Sequence, residues 1–193
     1  MIYQYPKPLY PGDRIGLVAP ASPFDKDRFL RGIEVLRHIG FEPVYTERIF
    51  RKNSFFAGNV EERVRDIHDF FNAPDIKALW SVRGGYGSLR LLPELDYLSI
   101  AKKPKIFIGC SDITALLTNI CSKCGMPAFH GPMAASLDKA DEETLQWIVK
   151  ALGGFMPFEI KASDGEVIRE GRASGPVIGG NLATLCHLLA TPY

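Results

Sequence analysis

Residues 105–114 read Lys-Ile-Phe-Ile-Gly-Cys-Ser-Asp-Ile-Thr, an apolar run that ends at a glycine and leads into a polar turn. The run has the length of a buried strand and is ended, as strands often are, by a glycine. Apolar residues then recur at helical spacing, at positions 113, 116, 117 and 120. The segment therefore predicts a strand, a tight turn and a helix in direct succession.

The same alternation continues along the rest of the chain. Apolar runs of strand length alternate with segments of helical periodicity, in the order 15–19, 25–39, 41–45, 60–71, 77–82 and, after the segment above, 142–152. Strands that alternate with helices predict a mostly parallel sheet flanked by helices. We therefore expect an α/β fold with the layered architecture of flavodoxin and Rossmann proteins.

The pattern loosens towards the C-terminus. We expect residues 1–155 to form one domain. Residues 156–178, most of which are polar or small, are expected to form a linker. Residues 179–193 open with Gly-Gly-Asn and return to a helical pattern, for which Asn181 is the predicted cap. This last segment is interpreted as the truncated start of a second domain.

The charge balance argues against charged polymers as partners. There are 23 basic and 22 acidic residues in 193, so the net charge of +1 predicts binding neither to nucleic acid nor to an anionic membrane. The N-terminus lacks the pattern of a signal peptide, and no stretch has the length and apolarity of a membrane span. The expected location is the cytoplasm.

Four cysteines, at positions 110, 121, 124 and 186, are too few and too unevenly spaced for a disulfide framework and suit a reducing compartment. The Cys121-Ser-Lys-Cys124 spacing also occurs in redox and zinc sites, but the chain has neither a second such pair nor histidines at metal-ligand spacing. We interpret it as structural, and we predict no metal and no cofactor.

Two loops follow predicted strands at the sheet edge where α/β proteins bind ligands. The first, Arg83-Gly-Gly-Tyr-Gly87, has three glycines that let the backbone approach a ligand and present N–H groups to an anion. The same glycines also fit a turn that needs them for its geometry alone. The residues leave both interpretations open.

The second loop, Gly109-Cys-Ser-Asp112, would lift Ser111 above the sheet at the start of a helix, as in a nucleophile elbow. There the N–H of Asp112 and the helix dipole can stabilise an oxyanion. Ile113 stands where the general elbow motif has a glycine, so the match is partial. The alternative is a Ser-Asp pair that only caps the helix.

A nucleophilic serine needs a general base, and histidine is the first candidate. Three of the four histidines, at positions 38, 68 and 187, lie within segments predicted to be helical. His130 follows a short apolar segment that suits another strand, which makes it the possible base within the chain.

Six short segments, taken in order, resemble the LD-carboxypeptidase family of serine peptidases, which includes muramoyltetrapeptide carboxypeptidases and microcin C immunity hydrolases. They are residues 12–22, 81–87, 108–114, 130–133, 179–182 and 191–193. The resemblance implies that Ser111 is the nucleophile and that N–H groups of Asp112, Gly84 and Gly85 form the oxyanion hole.

The resemblance also implies an activity. Members of the family cleave the bond between an L-centre and a terminal D-amino acid, typically releasing D-alanine from murein tetrapeptide in cytoplasmic cell-wall recycling. Arg83 and Tyr86 would then line the pocket for this peptide. Two alternatives are an immunity-type hydrolase of acyl-nucleotide toxins, and a non-catalytic module that holds a peptide carboxylate near Arg83.

The family's catalytic Glu and His are implied to lie in a C-terminal domain that should follow Tyr193. Asp112 adjoins the nucleophile and cannot orient a histidine in a triad. Residues 1–193 are therefore expected to hold a nucleophile and an oxyanion hole without their base, and to be inactive or slow alone. The face that would pack on the second domain should expose apolar residues, so we predict a homo-oligomer that associates through it.

Overall fold

The computed structural model describes residues 3–155, 159–160 and 165–193. Within these ranges, five parallel strands form one sheet: β1 (Arg14–Val18), β2 (Glu42–Val44), β3 (Ile76–Ser81), β4 (Ile106–Gly109) and β5 (Phe129–His130). Their spatial order is β2-β1-β3-β4-β5, the order found in flavodoxin-like proteins. The predicted α/β fold with a parallel sheet is confirmed.

Six α-helices of the described part of the chain accompany the sheet: α1 (Lys26–His38), α2 (Val60–Asn72), α3 (Tyr97–Ala101), α4 (Thr114–Cys124), α5 (Glu142–Leu152) and α6 (Leu182–Leu188). Side-chain caps start several of them. Asp25 accepts a hydrogen bond from the N–H of Arg28, and Asn59 forms a capping box with Glu62. The short helix α3 was not predicted, because its five residues are too few to show a helical period.

The core divides between the two faces of the sheet because successive strand residues point to opposite sides. Leu79 and Phe107 belong to the cluster that includes residues of α2 and α4, whereas Trp80 and Ile108 belong to the cluster that includes residues of α1. Apart from Lys77 of β3, the residues of the inner strands β3 and β4 are buried on both faces, as expected of a parallel sheet covered by helices.

Gly32 marks the closest packing of α1. A Cβ built at this position would overlap the carbonyl oxygen of Ala134, which lies in the 3₁₀ segment Ala134–Lys139. The helix and this segment therefore contact each other through backbone atoms, which only a glycine permits.

Gly32→Ala is expected to destabilise the protein. Alanine normally stabilises a helix relative to glycine by roughly 0.5–1 kcal/mol, but here the added methyl must displace backbone atoms. We expect the free energy of unfolding, measured by urea denaturation, to fall by about 3 kcal/mol. Gly171→Ala, where an added Cβ meets no described atom within 4 Å, is the control and should change it little. Equal stability of the two variants would contradict the close approach.

The C-terminal helix α6 packs on α4 and contributes Leu188 to the cluster that includes residues of α4. Asn181 caps it, as predicted, by accepting a hydrogen bond from the N–H of Thr184. Parts of the predicted linker, residues 156–158 and 161–164, lie outside the described residues. The division into a domain, a linker and a second domain stays a prediction.

Several large apolar side chains near this end are exposed to solvent: Ile160, Val167, Ile168, Val177, Ile178, Leu182 and Leu189. These residues fit the prediction of an exposed apolar face that would pack on a second domain. Self-association of the chain through this face stays a prediction. In the ranges that the structure describes, no helix has the length and apolarity needed to cross a membrane.

Candidate active site

Ser111 stands at the carboxyl end of β4, where a short 3₁₀ turn, Ser111–Ile113, leads into α4. Its backbone φ is +57°, a left-handed conformation that is uncommon for a residue with a side chain. Ser111 is exposed, while the next two residues, Asp112 and Ile113, are buried. The predicted turn is therefore a strained strand-to-helix turn that presents the serine to solvent, as nucleophile elbows do.

Gly109 allows the start of the helical segment to pack closely on β4, although Ile113 replaces the second glycine of the general motif. A Cβ built on Gly109 would lie 2.6 Å from Cγ2 of Ile113 and 3.1 Å from Oγ of Ser81. The side chain of Ile113 thus packs directly on the backbone of Gly109. The close approach of strand and helix depends on the glycine before the serine.

The glycine loop, residues 83–87, follows β3 and lies against the elbow because β3 and β4 are neighbours. A Cβ built on Gly84 would lie 3.3 Å from Cβ of Ser111 and 3.4 Å from the carbonyl oxygen of Cys110. Gly85 and Gly87 have positive φ, at +101° and +114°. Gly84 therefore allows the loop backbone to approach Ser111 closely, and Gly85 and Gly87 provide the positive φ angles that the turn needs.

Ser22, in the loop after β1, holds the glycine loop from one side. Its N–H donates to the carbonyl oxygen of Gly84 (3.1 Å), and its Oγ accepts the N–H of Tyr86 (3.1 Å). Although Ser22 lies in one of the family-like segments, its sequence gives no sign of a partner that is more than sixty positions away. Sequence reasoning assigned it no role.

Asp112 holds the loop from the elbow side. Its carboxylate accepts the N–H of Ser88 at 2.8 Å, and the hydroxyl of Ser88 donates to the backbone carbonyl of Asp112. Both residues are buried. The Asp112 side chain thus fastens the end of the glycine loop to the turn that carries Ser111.

Arg63 of α2 connects the loop after β1 to the end of the glycine loop. The side chain is 2% exposed, and Nη1 donates to the carbonyl oxygens of Pro20 (2.7 Å) and Gly87 (3.1 Å). Burial lowers the pKa of Arg63, and the negative charge of Asp112 opposes this shift. Sequence reasoning missed Arg63, since an arginine on an amphipathic helix normally lies on the solvated face.

We expect Arg63→Met to lower the free energy of unfolding by about 3 kcal/mol. It removes the Arg63 donor from the buried carbonyl of Pro20, leaves the carbonyl of Gly87 with only the N–H of Arg90, and leaves Asp112 without its nearby cation. Urea denaturation measures the change. The control is Arg48→Met, which removes a partly exposed arginine that pairs with Asp66 and Asp69 and should cost about 1 kcal/mol or less. Similar losses in both variants would argue against a special role of Arg63.

The two predicted pocket residues, Arg83 and Tyr86, are both exposed on the glycine loop. The Arg83 guanidinium donates through Nη1 to the carbonyl oxygen of Pro23 at 2.6 Å. The Tyr86 ring lies 5.9 Å from that of Phe56, and the Arg90 guanidinium lies over Phe56 at 5.0 Å. An exposed aromatic and cationic surface therefore borders the loop.

His130 ends β5, and the strand register places it beside Gly109 of β4. The adjoining N–H of Gly131 donates to the carbonyl oxygen of Gly109 at 3.0 Å. The His130 side chain is exposed, and among the described residues it makes no hydrogen bond to Ser111. His130 thus lies at the same edge of the sheet as Ser111 but is not hydrogen-bonded to it.

The glycine-asparagine segment before α6 also reaches this edge. The N–H of Asn181 donates to Oγ1 of Thr114 at 3.0 Å, and Gly180 packs against the same side chain. Thr114 is the first residue of α4, three positions after Ser111. Residues from the C-terminal end of the chain therefore border the elbow, which the spacing in the sequence does not reveal.

Residues 15–131, which carry the elbow and the glycine loop, match the LD-carboxypeptidase N-terminal domain. The chain belongs to the LD-carboxypeptidase family. The matched region covers more than half of the chain and includes β2 to β5 and all of β1 except its first residue.

Members of the LD-carboxypeptidase family resemble this chain in sequence and in fold. A probable murein peptide carboxypeptidase of Bacillus subtilis is 33% identical over 97% of this chain and 60% of its own length. The microcin C7 self-immunity protein MccF, known from Escherichia coli, superposes with a TM-score of 0.83 at 30% identity, over 96% of this chain and 65% of that one.

A third relative is the muramoyltetrapeptide carboxypeptidase of Oxalobacter formigenes, whose structure matches with a TM-score of 0.80 at 28% identity. The match covers 93% of this chain and 60% of that one. The chain thus spans about three-fifths of the length of these relatives.

Proposed function

We propose that the chain carries the nucleophile of a serine carboxypeptidase that releases the terminal D-alanine of murein tetrapeptide. The observation that carries the proposal is the strained, exposed Ser111 at the carboxyl end of β4, with Gly84 directly beside it. A serine held in this way, next to the backbone of a glycine loop, is suited to attack a carbonyl group.

In the proposed reaction, Oγ of Ser111 attacks the carbonyl carbon of the bond to D-alanine and gives up its proton to a general base. The resulting oxyanion accepts hydrogen bonds from N–H groups of Asp112 and of the Gly84-Gly85 loop, at the positive end of α4. The C–N bond then breaks, D-alanine leaves with a proton, and water hydrolyses the acyl-Ser111 ester.

The general base is proposed to come from outside residues 1–193. The relatives are longer than the matched region, and among the described residues no histidine is hydrogen-bonded to Ser111. Asp112 is poorly placed to orient a base, because it adjoins the nucleophile in the sequence and its buried carboxylate accepts the N–H of Ser88. His130 is the alternative base within the chain, because it lies at the same edge of the sheet.

Arg83 and Tyr86 are proposed to bind the substrate. Both are exposed on the loop that contacts the elbow, and a guanidinium suits the carboxylate of a terminal amino acid. Relatives named for murein peptides support this substrate class. The corresponding cellular role would be peptide recycling in the cytoplasm.

A second candidate is an immunity-type hydrolase of acyl-nucleotide toxins. The fold matches MccF, which has been solved in complex with aspartyl sulfamoyl adenosine. The exposed Tyr86 ring and the neighbouring Phe56 ring, next to the glycine loop, are also suited to stack on a nucleobase. A third candidate is a non-catalytic module that binds peptide carboxylates near Arg83.

The experiment that separates these candidates uses two proteins: residues 1–193 alone, and a chimera in which the remaining C-terminal part of the B. subtilis relative follows them. Each is assayed for release of D-alanine from murein tetrapeptide and for cleavage of aspartyl sulfamoyl adenosine. We expect the chimera to release D-alanine and the shorter protein to be much slower. Preferential cleavage of the adenosine compound would favour the immunity-type hydrolase.

Two further results would change the assignment. Release by residues 1–193 alone that His130→Gln abolishes would place the base within the chain. Binding of tetrapeptide without turnover by either protein, unchanged by Ser111→Ala, would favour the non-catalytic module.

A further inference from the structure

A cleft of about 590 Å³ opens at the edge of the sheet opposite the elbow, where β3 and β4 begin. Its charged lining consists of four lysines, Lys7, Lys77, Lys103 and Lys105, and no acidic residue of the described ranges lines it. Because the whole chain has a net charge of only +1, this is a local concentration of positive charge.

Two of these lysines are neighbours across the sheet. The parallel register pairs Ala78 of β3 with Ile106 of β4, and Lys77 and Lys105 are the residues just before this pair, near enough for the charge of Lys77 to act on Lys105. Like charges at adjacent positions of neighbouring strands destabilise a sheet. Arrangements that oppose stability in this way are expected where a function requires them.

Lys105 is the buried member of the group, with 8% of its surface exposed. Its Nζ donates to the carbonyl oxygens of Phe70 (2.8 Å) and Ala73 at the end of α2. An ammonium group has three protons, so these two bonds leave one for another acceptor. Burial, together with the neighbouring charges of Lys103 and Lys77, lowers the pKa of Lys105 to about 8.

Capping of α2 explains the position of Lys105 but not the other three cations. Lys103 donates to the neutral amide oxygen of Asn72 at 2.7 Å, and Lys7 and Lys77 are exposed at the rim. Within the described part of the chain, no ion pair includes any of the four lysines. The described lining of the cleft therefore lacks the negative charge that would balance it.

We propose that this cleft binds a small organic phosphate. Several lysine ammonium groups around one space favour a compact dianion, which lysine binds as a point charge. Pro74 and Pro104 line the same cleft, and the exposed ring of Tyr5 stands at it, so an apolar or ring-bearing group can pack beside the phosphate. The site is separate from Ser111 and does not depend on the proposed hydrolase activity.

The test is calorimetric titration of residues 1–193 with inorganic phosphate and with phenyl phosphate, at constant ionic strength and pH 7. We expect saturable binding of both, with phenyl phosphate the tighter. Lys77→Gln and Lys103→Gln, which alter exposed side chains, should each weaken binding about tenfold, the size of one charge-assisted hydrogen bond. Ser111→Ala should bind as the wild type does.

Lys102→Gln is the matched control, since Lys102 is exposed beside the cleft in sequence but does not line it. It removes the same charge and should weaken binding less than about twofold, as expected of screened surface charges. The proposal would be overturned by lack of saturation at millimolar phosphate, or by equal weakening in Lys102→Gln. Phenyl phosphate that binds no better than inorganic phosphate would overturn the organic part of the assignment.

Discussion

Replacing Ser111 with alanine is expected to lower the rate of D-alanine release by the chimera at least about a thousandfold, because the acyl-enzyme route is lost with the hydroxyl group. Substrate binding should change little, since this substitution would leave the glycine loop and its N–H groups in place. The measurement is kcat and KM for murein tetrapeptide, together with a circular dichroism spectrum that confirms folding.

Ser54→Ala provides a matched control for this substitution. Ser54 is also an exposed serine with a positive φ, at +54°, but it lies outside the elbow. Its loss should leave the rate unchanged within about twofold. If Ser111→Ala retained the wild-type rate, the nucleophile would have to be another group, and the proposed reaction would be wrong.

Gly84→Ala is expected to lower kcat/KM about a hundredfold, the effect of losing one oxyanion donor. The added Cβ would lie 3.3 Å from Cβ of Ser111 and 2.9 Å from Cε of Met133. The end of the flexible methionine can move aside, whereas the elbow backbone is fixed by its bonds to Ser88. The methyl should therefore shift the loop relative to the nucleophile without unfolding the protein.

Steady-state kinetics and urea denaturation test this prediction together. We expect the free energy of unfolding of Gly84→Ala to fall by less than about 1 kcal/mol, in the range of a small local strain. Gly171→Ala introduces the same methyl in open space and should affect neither quantity. Wild-type kcat/KM in Gly84→Ala would show that the loop backbone at this position does not contribute to catalysis.

The sequence was most informative where a regular apolar pattern is ended by a glycine or a proline. The apolar runs of β1, β3 and β4, and the helices α1, α2 and α4, all appear where their patterns predict them. The parallel arrangement follows from their alternation. Because parallel strands carry ligand sites at their carboxyl ends, the positions of Ser111 and the glycine loop at one edge were also predictable.

The supports of the site were not predictable in the same way. Ser22 and Arg63 reach the glycine loop across 64 and 24 positions of the chain, respectively. Such bonds depend on how elements pack, and an isolated serine or arginine shows no pattern that reveals its distant partner. Gly109 occupies the first glycine position of the elbow motif, but its contact with Ile113 depends on how the helix packs on the strand, which the sequence does not show.

Labelling of the chimera with a fluorophosphonate, followed by peptide mass spectrometry, tests most directly whether Ser111 is the catalytic nucleophile. The structure predicts one phosphonyl group on the peptide that contains Ser111, loss of D-alanine release in proportion to labelling, and no label in Ser111→Ala. D-alanine release that continues at its full rate after Ser111 has been completely phosphonylated would contradict the assignment.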